Sequence, residues 1–236
     1  IQLYTDKSHF VYELLQNAED AGATGIRFVQ YSDRLEVMHD GKSFTTENLQ
    51  GLCDIGQSDK VNDLNQIGEF GVGFKSVFGI CETVRLYSSP SKKDLAENCH
   101  PFAVEIKDFT KPVDIPAVDV PAGYTTLFVF PYSVGFQFSG FKNLAALNEA
   151  ITKRLKNLGV TTLLFMRHLE LIEYEIKIPG KEASGEYLLD AEPVNDHCTR
   201  VSAIESEDDK TDESLSFIKF SMPIDSRVST RTIDVA

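Results

Sequence analysis

Apolar residues recur at helical spacing from about residue 10 onward. Leu14, Leu15, Ala18 and Ala21 fall on one face, and Glu13, Asn17 and Asp20 fall on another, at i, i+4 and i+7. The period then changes. Ile26 to Gln30 and Leu35 to Met38 alternate as two short strands about a turn at Ser32-Asp33. Thr83 to Ser88, Phe102 to Ile106 and Thr125 to Phe130 read as further strands, joined by loops that carry Pro and Lys. Helical spacing returns from Phe141 to Leu158, where Leu144, Leu147, Ile151, Leu155 and Leu158 form a stripe suited to plain core packing. Strands are expected again at Thr162 to Phe165 and Leu171 to Ile178, then at Tyr187 to Leu189, Val201 to Ile204 and Leu215 to Met222. The acidic run Glu205 to Glu213 reads as a solvated hairpin loop. This order predicts an α+β fold: a mixed, mostly antiparallel sheet with helices on one face. Residues 179–236 form either a β extension of that domain or the start of the next one.

Three segments carry chemistry. In residues 13–24, ELLQNAEDAGAT, an acid, an amide and an acid stack along one helix face. Alone, this is an amphipathic helix with polar residues toward water. It can also hold a hydrated Mg²⁺, which takes few protein oxygens and leaves the rest to water and phosphate. In residues 67–78, IGEFGVGFKSVF, Gly68, Gly71 and Gly73 allow close approach of backbone N–H groups, with Val72 among them. Phe74, Val77 and Phe78 follow, so a helix is expected to begin within the glycines. That arrangement makes an anion site, to which Lys75 adds charge, or else simply a tight turn into a buried helix. The spacing fits neither the dinucleotide fingerprint nor the P-loop. Between the two lies His39-Asp40-Gly41-Lys42-Ser43, at a strand end, where a side chain could meet a nucleobase or merely form a turn.

The order of these segments resembles the GHKL ATPases: DNA gyrase, the ninety-kilodalton heat-shock chaperone, sensor histidine kinases and MutL. The first segment is most similar to the MutL, MORC and sacsin branches. The second is similar to the heat-shock chaperone, sacsin and MORC. The resemblance covers residues 6–90 and thins toward residue 175. It implies a two-layer α/β sandwich of the Bergerat type over residues 1–178, binding ATP with Mg²⁺. It implies Glu13 as general base, Asn17 as Mg²⁺ ligand and Asp20 as a supporting acid. Gly68, Gly71, Val72, Gly73 and Phe74 would line the phosphates. Ser58 and Lys60 would belong to a lid running to Gln66, and Thr125 or Thr126 would lie near adenine. For Lys75, helix capping and phosphate contact both stay open. In relatives, lid closure favours dimerisation, so a nucleotide-dependent homodimer is the implied partner mode, together with downstream domains of a longer protein.

The adenine motif departs from the family's D-x-G-x-G. If Gly41 is its first glycine, the acid position holds His39. If Asp40 keeps the role, the spacing is one residue short, and Ser43 stands where the second glycine belongs. Asp40 is the choice here because a carboxylate accepts from an amine, with His39 as the alternative. Two other classes are a protein-histidine kinase with its acceptor outside this chain and a pseudo-ATPase that binds nucleotide or partners without chemistry.

Composition narrows the setting. The 236 residues are 42% hydrophobic with net charge −13, which argues against nucleic acid as the main partner of this region. No apolar run has the length of a membrane span. The four cysteines, Cys53, Cys81, Cys99 and Cys198, lack metal-like spacing and read as thiols of a reducing compartment, cytoplasmic or nuclear. A chain that opens on Ile1 reads as a piece of a longer protein.

Overall fold

The computed structural model describes residues 9–45, 49, 74–91, 100–107, 112–132, 138, 140–208, 210–225 and 230–235. Its elements are α1 (Phe10–Asp20), β1 (Gly25–Tyr31), β2 (Arg34–His39), a 3-10 helix (Phe74–Gly79), β3 (Thr83–Ser88), β4 (Phe102–Lys107), β5 (Val113–Asp114) and β6 (Thr126–Pro131). There follow α2 (Leu144–Lys156), a second 3-10 helix (Val160–Phe165), β7 (Leu171–Lys177), β8 (Ala183–Asn195), β9 (Cys198–Glu207), β10 (Lys210–Asp225) and β11 (Thr230–Val235). The strands form one 11-stranded sheet in the order β11-β10-β9-β8-β7-β1-β2-β6-β3-β4-β5. Among the described residues, β1 and β7 are the one parallel pair and the other neighbours are antiparallel. The chain is therefore mixed α/β and mostly sheet, with two α-helices among the described residues. That is a coarser picture than the helix-on-sheet sandwich expected.

Strand alternation sends side chains to two faces. Ile26, Phe28, Leu35, Val37, Phe128 and Phe130 join Leu14, Leu15 and Ala18 of α1 and Leu147, Ile151 and Leu155 of α2 in one core. Val29, Met38, Tyr87, Leu127 and Val129 form a smaller core on the other face, covered by Ile115, Val120 and Tyr124. The polar Gln30 enters the first core fully buried. Its amide donates to the Asn148 carbonyl at 2.8 Å and accepts from the Thr152 hydroxyl at 2.9 Å. The helix α2 begins where Asn143 accepts from the Ala146 N–H at 2.9 Å, and Lys153, Arg154 and Lys156 face the negative end of its dipole.

Three expectations need correction. Thr162 to Phe165 is not a strand but part of the second 3-10 helix. Gly159, at φ 85°, turns the chain, and the Thr162 hydroxyl bonds back to the Leu158 carbonyl at 2.5 Å. Those local bonds, with Leu163 fully buried, override the β preference of Val160-Thr-Thr. The run from Glu205 to Glu213 is mostly strand, not loop: β9 reaches Glu207, β10 starts at Lys210, and Asp208, at φ 49°, makes the turn. Lys156 ion-pairs with Glu207, so this corner also touches α2. The helix expected after the glycines is a 3-10 helix over Phe74–Gly79, and the glycines themselves lie outside the described residues. The last strands are far longer than expected and continue the main sheet, with Gly185 of β8 under the Tyr174 ring, whose hydroxyl a Cβ there would meet at 2.4 Å. Among the described residues, no helix is long and apolar enough to cross a membrane. Cys81 is buried, its thiol against the Val77 carbonyl at 3.3 Å. Cys198 is half-buried, and Cys53 and Cys99 lie outside the described residues.

Candidate functional site

The site is built around the end of α1. Gly22, at φ 67°, takes the left-handed conformation that closes the helix. Its N–H bonds to the Glu19 carbonyl at 2.8 Å, and the Ala23 N–H bonds to the Ala18 carbonyl at 3.0 Å, which is a Schellman cap. The segment 39–42 docks on this cap. The Lys42 N–H reaches the Ala21 carbonyl at 2.9 Å. Gly41 sits so close that a Cβ would lie 2.9 Å from that carbonyl and 3.0 Å from the Ala23 nitrogen. Close approach is therefore what requires glycine at Gly41.

Asp40 locks the junction. Its Oδ1 accepts from the Thr24 and Gly25 N–H groups at 2.8 and 2.9 Å, and its Oδ2 from the Thr24 hydroxyl at 2.5 Å. From the other side, Thr125 donates its hydroxyl to the Gly41 carbonyl at 2.5 Å and its N–H to the His39 carbonyl at 3.0 Å. Asp40 and Thr125 thus brace the strand end.

His39 and Thr126 are different. They are directly opposed on β2 and β6, on the face that carries α1, and both are buried, at 3% and 0% exposure. The Thr126 hydroxyl has no partner. His39 Nδ1 accepts from the Gly41 N–H at 3.2 Å. Burial depresses the imidazole pKa to about 4, against a small opposing pull from Asp40. The ring is neutral near pH 7, and because Nδ1 accepts, the proton sits on Nε2.

Along α1, Glu13 lies in the first turn, where the helix dipole favours an acid, with its Oε1 3.2 Å from His9 Nδ1. Asn17 is half-buried, and its Nδ2 is fully buried without a partner. Asp20 is exposed and accepts from the Gln16 amide at 2.9 Å. Phe74 is buried with its ring 5.4 Å from that of Phe128, and Lys75 lies in the same 3-10 helix. Ser58, Lys60, Gly68, Gly71, Val72 and Gly73, and with them the expected lid, lie outside the described residues.

Sequence reasoning missed Glu19. It is buried, and its carboxylate accepts from the N–H groups of Arg167, His168 and Leu169 at 2.7 to 3.1 Å. Burial alone would raise its pKa; the three backbone donors outweigh that and lower it. The bond set pins α1 to the chain entering β7. The available signal was an acid four residues after Leu15, on the apolar stripe. A cleft of about 520 Å³ opens on the sheet face away from the helices, lined by Arg27, Glu173, Glu175, Ser184, Glu186 and Ser206. It includes none of the residues above, and its cation, Arg27, is held by Glu175 at 2.9 Å.

Residues 1–96 match the Sacsin domain. That match spans α1, β1, β2, the braced strand end and β3. The chain is similar to Protein NO VEIN of Arabidopsis thaliana, with 27% identity over 190 residues, covering 73% of this chain and 7% of that protein. It is also similar to Sacsin of Homo sapiens, with 30% identity over 105 residues, covering 37% of this chain and 2% of that protein. The Sacsin-domain match holds every candidate residue except Thr125 and Thr126, which β6 brings to the strand end from outside it.

Proposed function

We propose that this chain is a GHKL-type nucleotide module that binds a Mg²⁺–nucleoside triphosphate, ATP by the family resemblance, and hydrolyses it to drive a conformational change. One observation carries the reading. Asn17 Nδ2 and the Thr126 hydroxyl are buried polar atoms without partners, on residues of α1 and β6 on the helix-bearing side of the sheet; the Tyr132 hydroxyl, just past β6, is a third. A buried polar atom with no partner costs about 1–3 kcal/mol, and a ligand that bonds to these atoms would recover that cost. The motif order and the Sacsin-domain match support the same reading.

Within it, each residue has a role set by its surroundings. Asn17 would hold Mg²⁺, for which an amide on a carboxylate-bearing helix face is a fitting donor. The ion, when bound, offsets charge on the triphosphate. Glu13 orients a water and takes its proton as that water attacks the terminal phosphate. His9, at i−4, steadies the Glu13 carboxylate. Asp20 stays in solvent and supports the site through water. By the same resemblance Gly68, Gly71, Gly73, Ser58 and Lys60, which lie outside the described residues, would serve the phosphates, and nucleotide binding would favour pairing with a second copy.

The test is Glu13→Ala. Triphosphate binding should persist while phosphate release falls by about 10²-fold, the scale of a lost general base. Equal turnover in variant and parent would remove Glu13 from this role.

A further inference from the structure

We infer that Glu19 is a positioning residue for the proposed hydrolysis: its carboxylate sets the rotation of α1, and with it where Glu13 and Asn17 stand. This rests on the triphosphate reading above and deepens it.

Around a helix, successive residues turn by about 100°. Glu13, Asn17 and Asp20 therefore share one side, and Glu19, two residues after Asn17, stands about 200° round from it. Leu14, Leu15 and Ala18 pack α1 onto the core, but apolar contacts are non-directional and tolerate a helix that rolls or slides. Hydrogen bonds do not. Both oxygens of Glu19 are engaged. Oε1 accepts from the Arg167 and His168 N–H groups at 2.7 and 3.1 Å, and Oε2 from those of His168 and Leu169 at 3.1 and 3.0 Å. The next two N–H groups, of Glu170 and Leu171, go to the Thr24 carbonyl at 2.9 and 3.1 Å. Five consecutive backbone donors, 167–171, thus end on two residues that bracket the cap of α1.

This clasp has a firm backing. Its donors lead straight into β7, which is paired on both sides, with β1 and β8, and the Glu170 carbonyl takes the Leu189 N–H of β8 at 2.8 Å. Thr24 is held in turn by Asp40. The clasp therefore refers α1 to the middle of the sheet. An apolar residue at position 19 would be buried without desolvating a charge; what the carboxylate adds is direction. A general base and a metal ligand work only in place, and a shift of about 1 Å can cost about 10²-fold in rate.

The experiment compares the parent chain with Glu19→Asp, Glu19→Gln and Tyr187→Phe, at a temperature where circular dichroism shows each folded. Glu19→Asp keeps the charge and shortens the reach by one methylene, so the clasp closes only by moving α1. Glu19→Gln keeps the reach and turns an amide N–H toward a backbone donor. Tyr187→Phe is the control for lost stability alone: it removes a buried hydroxyl bond to the Leu155 carbonyl at 2.8 Å, between β8 and α2. Calorimetry with Mg²⁺–ATP reads affinity, and phosphate release reads turnover. Both Glu19 variants should bind within about threefold of the parent and turn over at least about tenfold more slowly. Tyr187→Phe should match the parent in both. Turnover at the parent's rate in the two Glu19 variants overturns the inference. So does an equal fall in Tyr187→Phe, or affinity lost in step with turnover, since either marks a merely structural role. A parent that releases no phosphate overturns the hydrolysis reading itself, and the inference with it.

Discussion

Two sets of polar groups, buried or half-buried, are treated in opposite ways. Glu19, Asp40 and Thr125 take partners from chain segments far away in sequence, and each braces a junction. Asn17, half-buried, and Thr126, fully buried, each keep a buried polar atom without a partner. Desolvation costs both sets alike; only the first regains that cost within the protein. The contrast separates residues that hold the fold from residues kept for a ligand, which residue type alone does not do.

The contrast can be broken most strongly at Glu19. Glu19→Ala leaves three backbone N–H groups near β7 without an acceptor and should lower stability by about 3 kcal/mol or more. Denaturant unfolding measures it, and a loss under about 1 kcal/mol would mean that water replaces the carboxylate.

Acid titration gives the next largest effect. The folded pKa of His39, about 4, lies below its ordinary 6.5. The unfolded chain therefore takes up a proton that the native one refuses. Stability is intact above pH 6.5, falls as pH drops toward 4, and by pH 5 has lost about 2 kcal/mol. Glu19 works in a lower window: its pKa is depressed from 4.5, so its contribution is present above that value and fades as pH falls further. His39→Gln should flatten the upper window alone. A stability profile that is level between pH 7 and pH 5 would contradict the buried, neutral ring.

The smallest effect is the sharpest test of the unpartnered set. Thr126→Val keeps the shape and removes a hydroxyl that bonds to nothing, so unfolding should be unchanged or up to about 1 kcal/mol more costly. Triphosphate affinity should nevertheless fall. A marked destabilisation would place Thr126 with the bracing residues.

The first two strands, the helices α1 and α2, and β3, β4, β6 and β7 were legible in the chain, most from an amphipathic period and β6 from a short run that is buried on both faces. Glu13, Asn17, His39, Asp40 and Gly41 were legible as candidates for the same local reason. What they do was not. The donors to Asp40 lie 15 and 16 residues away, and those to Glu19 lie 148 to 150 residues away. No local pattern encodes such partners. Asp40 was favoured over His39 for its chemistry, and the geometry shows that chemistry engaged by β1. Thr162 to Phe165 misled because a short apolar run after β-branched residues carries a strand signature that one glycine turn and one hydroxyl bond outweigh. The long β8 to β10 ladder was underestimated because its outer stretches are exposed and polar, without a buried face to set a period.

The parallel pairing of β1 with β7 has a consequence for where this protein can be cut. β1 bonds residue by residue to Leu171–Lys177, and β2 bonds to β6 on its other side. A chain shortened to the Sacsin-domain match would keep the β1–β2 hairpin and lose both of its neighbours. Two apolar strands would then present open ladders of N–H and C=O groups, a template for joining other chains. The acceptor work of Glu19 would vanish with them, since its donors lie at 167–169. The segment that carries the family resemblance is therefore not a unit that can stand by itself: its edges are finished by residues from the second half of the chain.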